Sequence, residues 1–334
     1  IRGDVESRGL GDVYKRQGII QKVVGAFAWV LRKFMNISGS EGLVAAGNIF
    51  MGMTESPVLI KNYLPTMNRS EIFLVMVSGM GTIAGSVMGT YIGMLGGTDP
   101  AAKVLFATHL LSASVMAVPG SIVLAKMLCP QTEEATDHVA ISGKEKENSN
   151  ILDAISSGTV TGVKLMTNIA AMLLVFISLV ALANYITEGV IGRYTGLNDW
   201  IVKITDGKAQ GLTFQFILGV ITSPFMWLIG VPSQDIMLVG SLLGQKTILN
   251  EFVAYFQLQQ WKDAGLFMYE KSILMSTYIL CGFANISSIG ILLGGLGVLA
   301  PEKRGLISRI GVPAMIGGAL VSVLSATIIG MILG

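Results

Sequence analysis

Ionisable side chains are scarce in this sequence. Only 13% of the 334 residues are Asp, Glu, Lys or Arg, whereas about a quarter are charged in an average soluble domain. Hydrophobic residues, in contrast, make up 52% of the chain. These proportions predict an all-α, polytopic membrane protein that lies in a lipid bilayer.

Histidine and cysteine are rarer still, with two of each. Two histidines cannot build a His-based metal or catalytic cluster, and Cys129 and Cys281 lie far apart in apolar stretches, as buried thiols do. The sequence has no phosphate-binding loop and no nucleophile elbow. It therefore predicts neither an enzyme nor an organic cofactor. The net charge of +2, with scattered cations, does not support nucleic acid as a partner.

The most unusual stretch is Ile279–Gly290, which places small and polar residues in the middle of a hydrophobic run from Ile273 to Ala300. Polar groups in lipid need partners, so this break predicts a discontinuous helix whose freed backbone faces a cavity or a solute. The alternative is a tightly packed membrane helix, because small and hydroxyl residues also mark helix contacts. The stretch alone supports both interpretations.

A second copy of the pattern favours the first interpretation. Ser78–Val87 resembles Cys281–Gly290, and an apolar segment with one carboxylate precedes each copy, with Glu55 before the first and Glu251 before the second. Interrupted hydrophobic segments at matching positions in two halves are typical of a transporter site at a repeat interface.

The first carboxylate-bearing segment, Ala45–Leu64, is predicted to be a re-entrant hairpin, because Pro57 cannot continue a helix through its preceding turn. A Gly/Ser turn is predicted just before it, at Ser38–Leu43. After it, Glu71–Leu95 is predicted to be one long span. Four of its glycines at a spacing of four would form a smooth stripe for a neighbouring helix: Gly81, Gly85, Gly89 and Gly93.

The second hairpin is predicted to have Asp235–Leu243 and Glu251–Leu258 as its arms, with Gly244–Asn250 between them.

The chain as a whole then divides into five parts. Residues 1–17 are charged and lack an initiator Met, so they are interpreted as a non-native or unstructured segment. Two repeats, each with an interfacial helix, a hairpin and two membrane helices, are placed at 18–128 and 212–334. A hydrophilic loop at 129–150 and a scaffold helix with its loop at 151–211 separate the repeats.

Glu55 and Glu251 are predicted to line a substrate or ion pathway, because a carboxylate at membrane depth is costly to bury and usually has such a role. The alternative is that both lie at the membrane surface. Carboxylates accept hydrogen bonds from a polar solute. The neighbouring side chains supply hydroxyls, an amide and an aromatic face, which suit a neutral, hydroxylated solute with an aromatic part: Thr54, Phe283, Asn285 and Ser288.

The polar groups of the first hairpin have two interpretations. The amide of Asn48 and the loosened carbonyls near Met51, Thr82 and Ile83 would form a cage of hard oxygens for a small alkali cation. Alternatively, Asn48 caps a half-helix. Residue spacing does not choose between them.

These same motifs resemble the concentrative nucleoside transporter family. The resemblance runs from about Gly18 to the C-terminus and is most specific at NEFVAY, Asn250–Tyr255, and CGFANISSIG, Cys281–Gly290. It implies inverted repeats with two re-entrant hairpins, a homotrimer in the inner membrane, and import of nucleosides by symport with sodium or protons.

The resemblance also implies roles for individual residues. Those that would contact the nucleobase are Met53, Thr54, Glu55 and Val87. Those that would hold the ribose are Glu251, Asn285 and Ser288, with Phe283 alongside. Those that would bind sodium are Asn48, Met51, Thr82 and Ile83.

Two positions depart from the family pattern. The family commonly has Gln where this chain has Met53, and a thioether cannot replace an amide, so the preference for purines or pyrimidines stays open. Thr82 stands where Ser is usual in sodium-coupled members, but it keeps the hydroxyl. The family's first membrane helices are also missing, so the chain is interpreted as N-terminally truncated. The alternative functions are a gate-type membrane protein on the same repeat, without transport, and a membrane enzyme.

Overall fold

The computed structural model describes residues 19–133, 156, 159–160, 163, 174–175, 178–205, 207 and 209–334, with the backbone alone for 19–23. Every regular element in these ranges is a helix, which confirms the predicted all-α class. The predicted segment 1–17, most of the hydrophilic loop and most of the scaffold helix lie outside the described residues.

The chain forms two compact units, residues 1–166 with 281–325 and residues 167–280 with 326–334. The first unit begins with the helices α1 (Ile19–Met35), α2 (Gly39–Gly47), α3 (Arg69–Gly81), α4 (Gly85–Gly96) and α5 (Pro100–Leu128). The second unit has α6 (Leu197–Ile204), α7 (Phe214–Leu228), α8 (Ile236–Ile248), α9 (Glu251–Asp263) and α10 (Glu270–Leu280). The last helices are α11 (Ile286–Leu299) in the first unit and α12 (Arg304–Ile332), whose final residues belong to the second. The shorter helical segments are Ser56–Ile60, Tyr185–Gly192, Arg193–Thr195 and Pro301–Lys303.

Among the described residues, three stretches are long and apolar enough to cross a membrane: Arg69–Gly96, Pro100–Leu128 and Pro301–Ile332. The same part of the chain has three shorter apolar helices, α7, α8 and α11. A full crossing needs about 20 residues of helix, so the shorter helices have the length of hairpin arms and half-helices. This division confirms a membrane fold with re-entrant hairpins and discontinuous helices.

The long span predicted at Glu71–Leu95 is confirmed in extent, because it lies within Arg69–Gly96, but its interpretation as a single helix is wrong. α3 ends at Gly81, the backbone of Thr82 is extended, and α4 begins at Gly85. The expected glycine stripe is found at only two of its four positions: a Cβ on Gly81 would lie 3.1 Å from Val321 Cβ and one on Gly85 3.1 Å from Phe50 O, whereas one on Gly89 or Gly93 would meet no atom within 4 Å. A glycine spacing of four is the same whether the helix continues or breaks, so the spacing did not reveal the break.

The predicted Gly/Ser turn at Ser38–Leu43 is wrong as well, because helix α2 begins at Gly39. Ser38 is its N-cap, and it forms a capping box with Glu41: the Ser38 hydroxyl accepts from Glu41 N, and Glu41 Oε2 accepts from Ser38 N at 2.9 Å. A capping residue followed three positions later by Glu is a helix-start pattern. The first hairpin therefore pairs an α-helical arm with the short 3-10 segment Ser56–Ile60.

The second hairpin, formed by α8 and α9, has a shorter turn between its arms than predicted. Its first arm continues through Gly244 to Ile248, so only Leu249 and Asn250 separate the arms. The arm can continue because α7 packs against it closely at glycine. A Cβ on Gly244 would lie 2.6 Å from Leu218 Cβ. Part of the loop predicted within 151–211 is also helical, as the π-helical segment Tyr185–Gly192 and α6.

A buried ion pair holds together three helix ends in the first unit. Glu41, 1% exposed, accepts a hydrogen bond from Lys126 near the end of α5. The Lys126 ammonium also donates to Ser70 Oγ at 3.2 Å and Gln131 Oε1 at 2.9 Å. One cation therefore joins the starts of α2 and α3 to the end of α5.

We expect Lys126→Met to lower the free energy of unfolding by about 3 kcal/mol, because it leaves the Glu41 carboxylate buried without its cation. The denaturant midpoint in detergent measures this change. Glu41→Gln in the Lys126→Met background should restore part of the loss. The exposed cation Arg309 supplies the control, Arg309→Met, and an equal loss in that variant would contradict the prediction.

Candidate functional site

A cluster of neutral polar groups joins the first hairpin to α3. Asn48, at the C-terminal end of α2, is fully buried. Its amide oxygen accepts from Ser56 Oγ at 2.6 Å, and its amide nitrogen donates to Ser78 Oγ at 2.9 Å. The Asn48 side chain therefore bridges both arms of the hairpin and α3, while its backbone N–H caps α2.

Thr82 extends this cluster to the break between α3 and α4. Its hydroxyl donates to Ser78 O at 2.9 Å, so its oxygen lone pairs stay available as acceptors. Thr82 and Ile83 are both buried, as is Met51 on the hairpin. The hairpin meets the break directly, because Gly85 N donates to Phe50 O at 3.3 Å. All four residues of the predicted sodium set thus belong to one region of the first unit.

Sequence reasoning missed Ser56 and Ser78 as members of this cluster. One signal was present, since Ser78 lies four residues before Thr82 and therefore on the same face of α3. The link from Asn48 to Ser78 spans 30 residues, and no local pattern reveals such a contact.

The second break lies against the first. α10 ends at Leu280, α11 begins at Ile286, and Phe283 N between them donates to Thr82 O at 3.3 Å. The second break can lie this close to the end of α3 only with glycine at position 282, since a Cβ on Gly282 would lie 2.9 Å from Met80 O. A Cβ on Gly318 of α12 would lie 2.8 Å from Met80 Cβ. Three segments therefore meet at the end of α3, and we call this contact the crossing.

Asn285 organises the chain immediately after the crossing. It is the N-cap of α11, and its amide oxygen accepts from Ser288 N at 2.9 Å, Ser288 Oγ at 3.0 Å and Ser287 Oγ at 2.6 Å. Three donors already use this oxygen. The predicted pair Asn285 and Ser288 is therefore a buried capping unit at the start of a half-helix, and Phe283 lies partly buried beside it.

The residues predicted to contact the base lie on the first hairpin and the first turn of α4. Met53 packs over Gly79 of α3, where a Cβ would lie 2.9 Å from Met53 Cβ. Thr54 is exposed and lies next to Gly295 of α11, and Glu55 is half-buried. Val87 is 8% exposed.

Glu251 belongs to the second unit. It is the first residue of α9, only 7% exposed, and Asn250 caps the helix by accepting from Val253 N at 2.9 Å. A carboxylate at this position is stabilised by the positive end of the helix dipole. The start of the second hairpin arm therefore presents a largely buried carboxylate.

The second unit also has a cavity of about 580 Å³. Amide and hydroxyl side chains form much of its lining, which includes Asn184, Gln210, Gln215, Ser241 and Gln257. None of the predicted site residues lines it.

The chemistry of the first-unit cluster suits a hard, monovalent cation. Its groups are amides, hydroxyls and backbone carbonyls, all neutral oxygen donors. Within the part of the chain that the structure describes, no three His, Cys, Asp or Glu side chains come together as a metal-binding group. Transition metals prefer imidazole and thiolate ligands, and the hydrogen-bonded cluster of Asn48, Ser56, Ser78 and Thr82 contains neither.

Two family models match the chain. Residues 109–330 match the Na+ dependent nucleoside transporter C-terminus, and residues 10–98 match the Gate model, described as nucleoside recognition. The first match covers more than half of the chain. It therefore confirms the transporter interpretation over the two alternatives, a gate-type protein and an enzyme.

Individual relatives agree with these models. An uncharacterized transporter of Haemophilus influenzae is 39% identical, over 98% of this chain and 74% of the relative. Sodium/nucleoside cotransporter 1 of Rattus norvegicus is 38% identical over 94% of this chain, which spans about half (47%) of that longer protein. The inward-facing, substrate-bound structure of CNTnw has a TM-score of 0.84 at 34% identity, over 99% of this chain and 74% of that chain.

The polar cluster, the crossing of two broken helices and these matches all support a membrane transporter. The rat relative is named as a sodium/nucleoside cotransporter, and the apolar stretches of the chain fit several passes through the inner membrane. The chain belongs to the Na+-dependent nucleoside transporter family, and its function is membrane transport of nucleosides coupled to sodium rather than catalysis.

Proposed function

We propose that this chain forms the substrate- and ion-binding core of a homotrimeric symporter that imports nucleosides. Sodium is the coupling ion, and Asn48, Met51, Thr82 and Ile83 bind it. The observation that carries the proposal is the buried neutral cluster of Asn48, Ser56, Ser78 and Thr82 at the point where the first hairpin meets a broken helix.

Sodium at this position would couple two parts of the first unit. Asn48 and Met51 lie on the hairpin, whereas Thr82 and Ile83 form the break. An ion that takes oxygens from both would hold the hairpin against the break and fix the segment Met53–Glu55, which follows two residues after Met51. Nucleoside binding would then follow sodium binding, because the hairpin reaches its binding conformation with the ion in place.

For the nucleoside, we propose contacts to the base from Met53, Thr54, Glu55 and Val87 and to the ribose from Glu251, Asn285 and Ser288, with Phe283 alongside. The supporting features differ by residue. Glu251 is a buried carboxylate, able to accept from ribose hydroxyls. The Asn285 oxygen is used by its own helix, so we assign donation through the amide nitrogen to this residue. Met53 offers an apolar contact to the base.

We expect Asn48→Ala to raise the sodium concentration for half-maximal uptake at least tenfold, since it removes one proposed ligand, the acceptor of the Ser56 hydroxyl and the amide donor to Ser78 Oγ. The measurement is uptake of radiolabelled uridine and adenosine into proteoliposomes under an imposed sodium gradient. Ser121→Ala is the matched control, because that buried serine donates within its own helix to Val118 O. Sodium-independent, proton-driven uptake by the unmodified protein would refute the sodium site.

We expect Glu251→Gln to abolish nucleoside uptake and to leave sodium binding intact, because the neutral amide cannot replace a carboxylate acceptor. Nucleoside-dependent and sodium-dependent shifts of the melting temperature test the two sites separately. Glu270→Gln, an exposed residue that also begins a helix, is the control. Retained nucleoside binding in Glu251→Gln would remove this residue from the site.

We expect Gly282→Ala to lower the affinity for both sodium and nucleoside at least tenfold. Its Cβ would push against Met80 O at 2.9 Å and separate the two breaks. Gly290→Ala, eight residues later, is the matched control, because its Cβ would meet nothing within 4 Å. The same two binding measurements apply, and unchanged affinity in Gly282→Ala would show that the site tolerates movement at the crossing.

A further inference from the structure

Lys246, near the end of α8, is a fully buried cation. Its side chain is 0% exposed, and Nζ donates to Ile279 O at 2.8 Å. Ile279 lies in the last turn of α10, which ends at Leu280. Ionisable residues inside membrane segments are costly to bury, so their presence by default indicates a functional role.

Tyr255, in α9, makes a parallel contact. It is also fully buried, and its hydroxyl donates to Thr277 O at 2.8 Å. The last four carbonyls of an α-helix have no partner within the helix, and in α10 these belong to residues 277–280. Each arm of the second hairpin therefore donates a side-chain hydrogen bond to one of the carbonyls at the end of α10 that have no partner within the helix.

Glu251 lies between these two contacts in the chain. It follows Lys246 by five residues and precedes Tyr255 by four, on the turn that joins the arms. With both arms held to one helix end, the turn has little freedom to shift. The C-terminal end of a helix carries partial negative charge. An ammonium group at the end of α10 compensates this charge, whereas a neutral side chain would not.

We propose that Lys246 and Tyr255 are positioning residues for Glu251, with Lys246 donating its hydrogen bond to the open end of α10. The inference rests on the proposed function, in which Glu251 binds the ribose. The first unit, by that proposal, closes its helix break with an exchangeable sodium ion. In the second unit, the end of α10 is instead held by side chains that are covalently part of the chain.

The test compares Lys246→Met, Lys246→Gln and Tyr255→Phe in proteoliposomes. We expect Lys246→Met to raise the KM for uridine about tenfold, the effect of losing about one charge-assisted hydrogen bond. Lys246→Gln keeps a donor without the charge and should lie between Lys246→Met and the unmodified protein, while Tyr255→Phe should raise the KM less. The exposed residues Lys203 and Tyr194 supply the matched controls Lys203→Met and Tyr194→Phe.

The second readout is the sodium-dependent rise of the melting temperature without nucleoside. A positioning role leaves it unchanged, because the proposed sodium ligands are in the first unit. A parallel loss of sodium and nucleoside binding would show a general structural role and overturn the inference. If Lys246→Met fails to fold, an unchanged KM in Lys246→Gln and Tyr255→Phe overturns it as well. Absence of sodium-driven uptake by the unmodified protein would instead overturn the proposed function, and this inference with it.

Discussion

The structure of the first unit depends on how it satisfies the backbone groups that a broken membrane helix sets free. In lipid these groups have no water to bind. Thr82 O accepts from Phe283 N, so one break supplies the donor that the other break needs. Two interruptions that would each be costly alone become favourable when they lie against each other.

The polar cluster follows from the same constraint. Once α3 stops at Gly81, the Thr82 hydroxyl turns back to Ser78 O, and the Ser78 hydroxyl meets the amide of Asn48. Each step places one more neutral oxygen near the end of α3. The proposed coupling of ion and substrate would then have a simple physical basis, because the groups proposed to bind sodium also hold the hairpin in place.

The sequence predicted the membrane class, both hairpins and the break at Cys281–Asn285, because polar residues inside apolar runs are visible without a structure. It did not predict the break after Gly81, whose small residues fit a continuous helix equally well. Ser38 and Glu41 were interpreted as a turn although their spacing is that of a capping box. The partners Ser56 and Ser78, and the contacts of Lys246 and Tyr255 with α10, depend on long-range packing that no local pattern encodes.

The glycines at the crossing have a consequence for how such a chain diverges. Gly282 lies against the backbone of Met80 and Gly81, and Gly318 lies against Met80. Backbone atoms are the same in every sequence, so drift of the surrounding side chains leaves this geometry intact. At this contact the constraint falls on the positions that must lack a Cβ. A chain whose surrounding side chains change can therefore keep the same meeting of helix ends, provided that glycine stays at these positions.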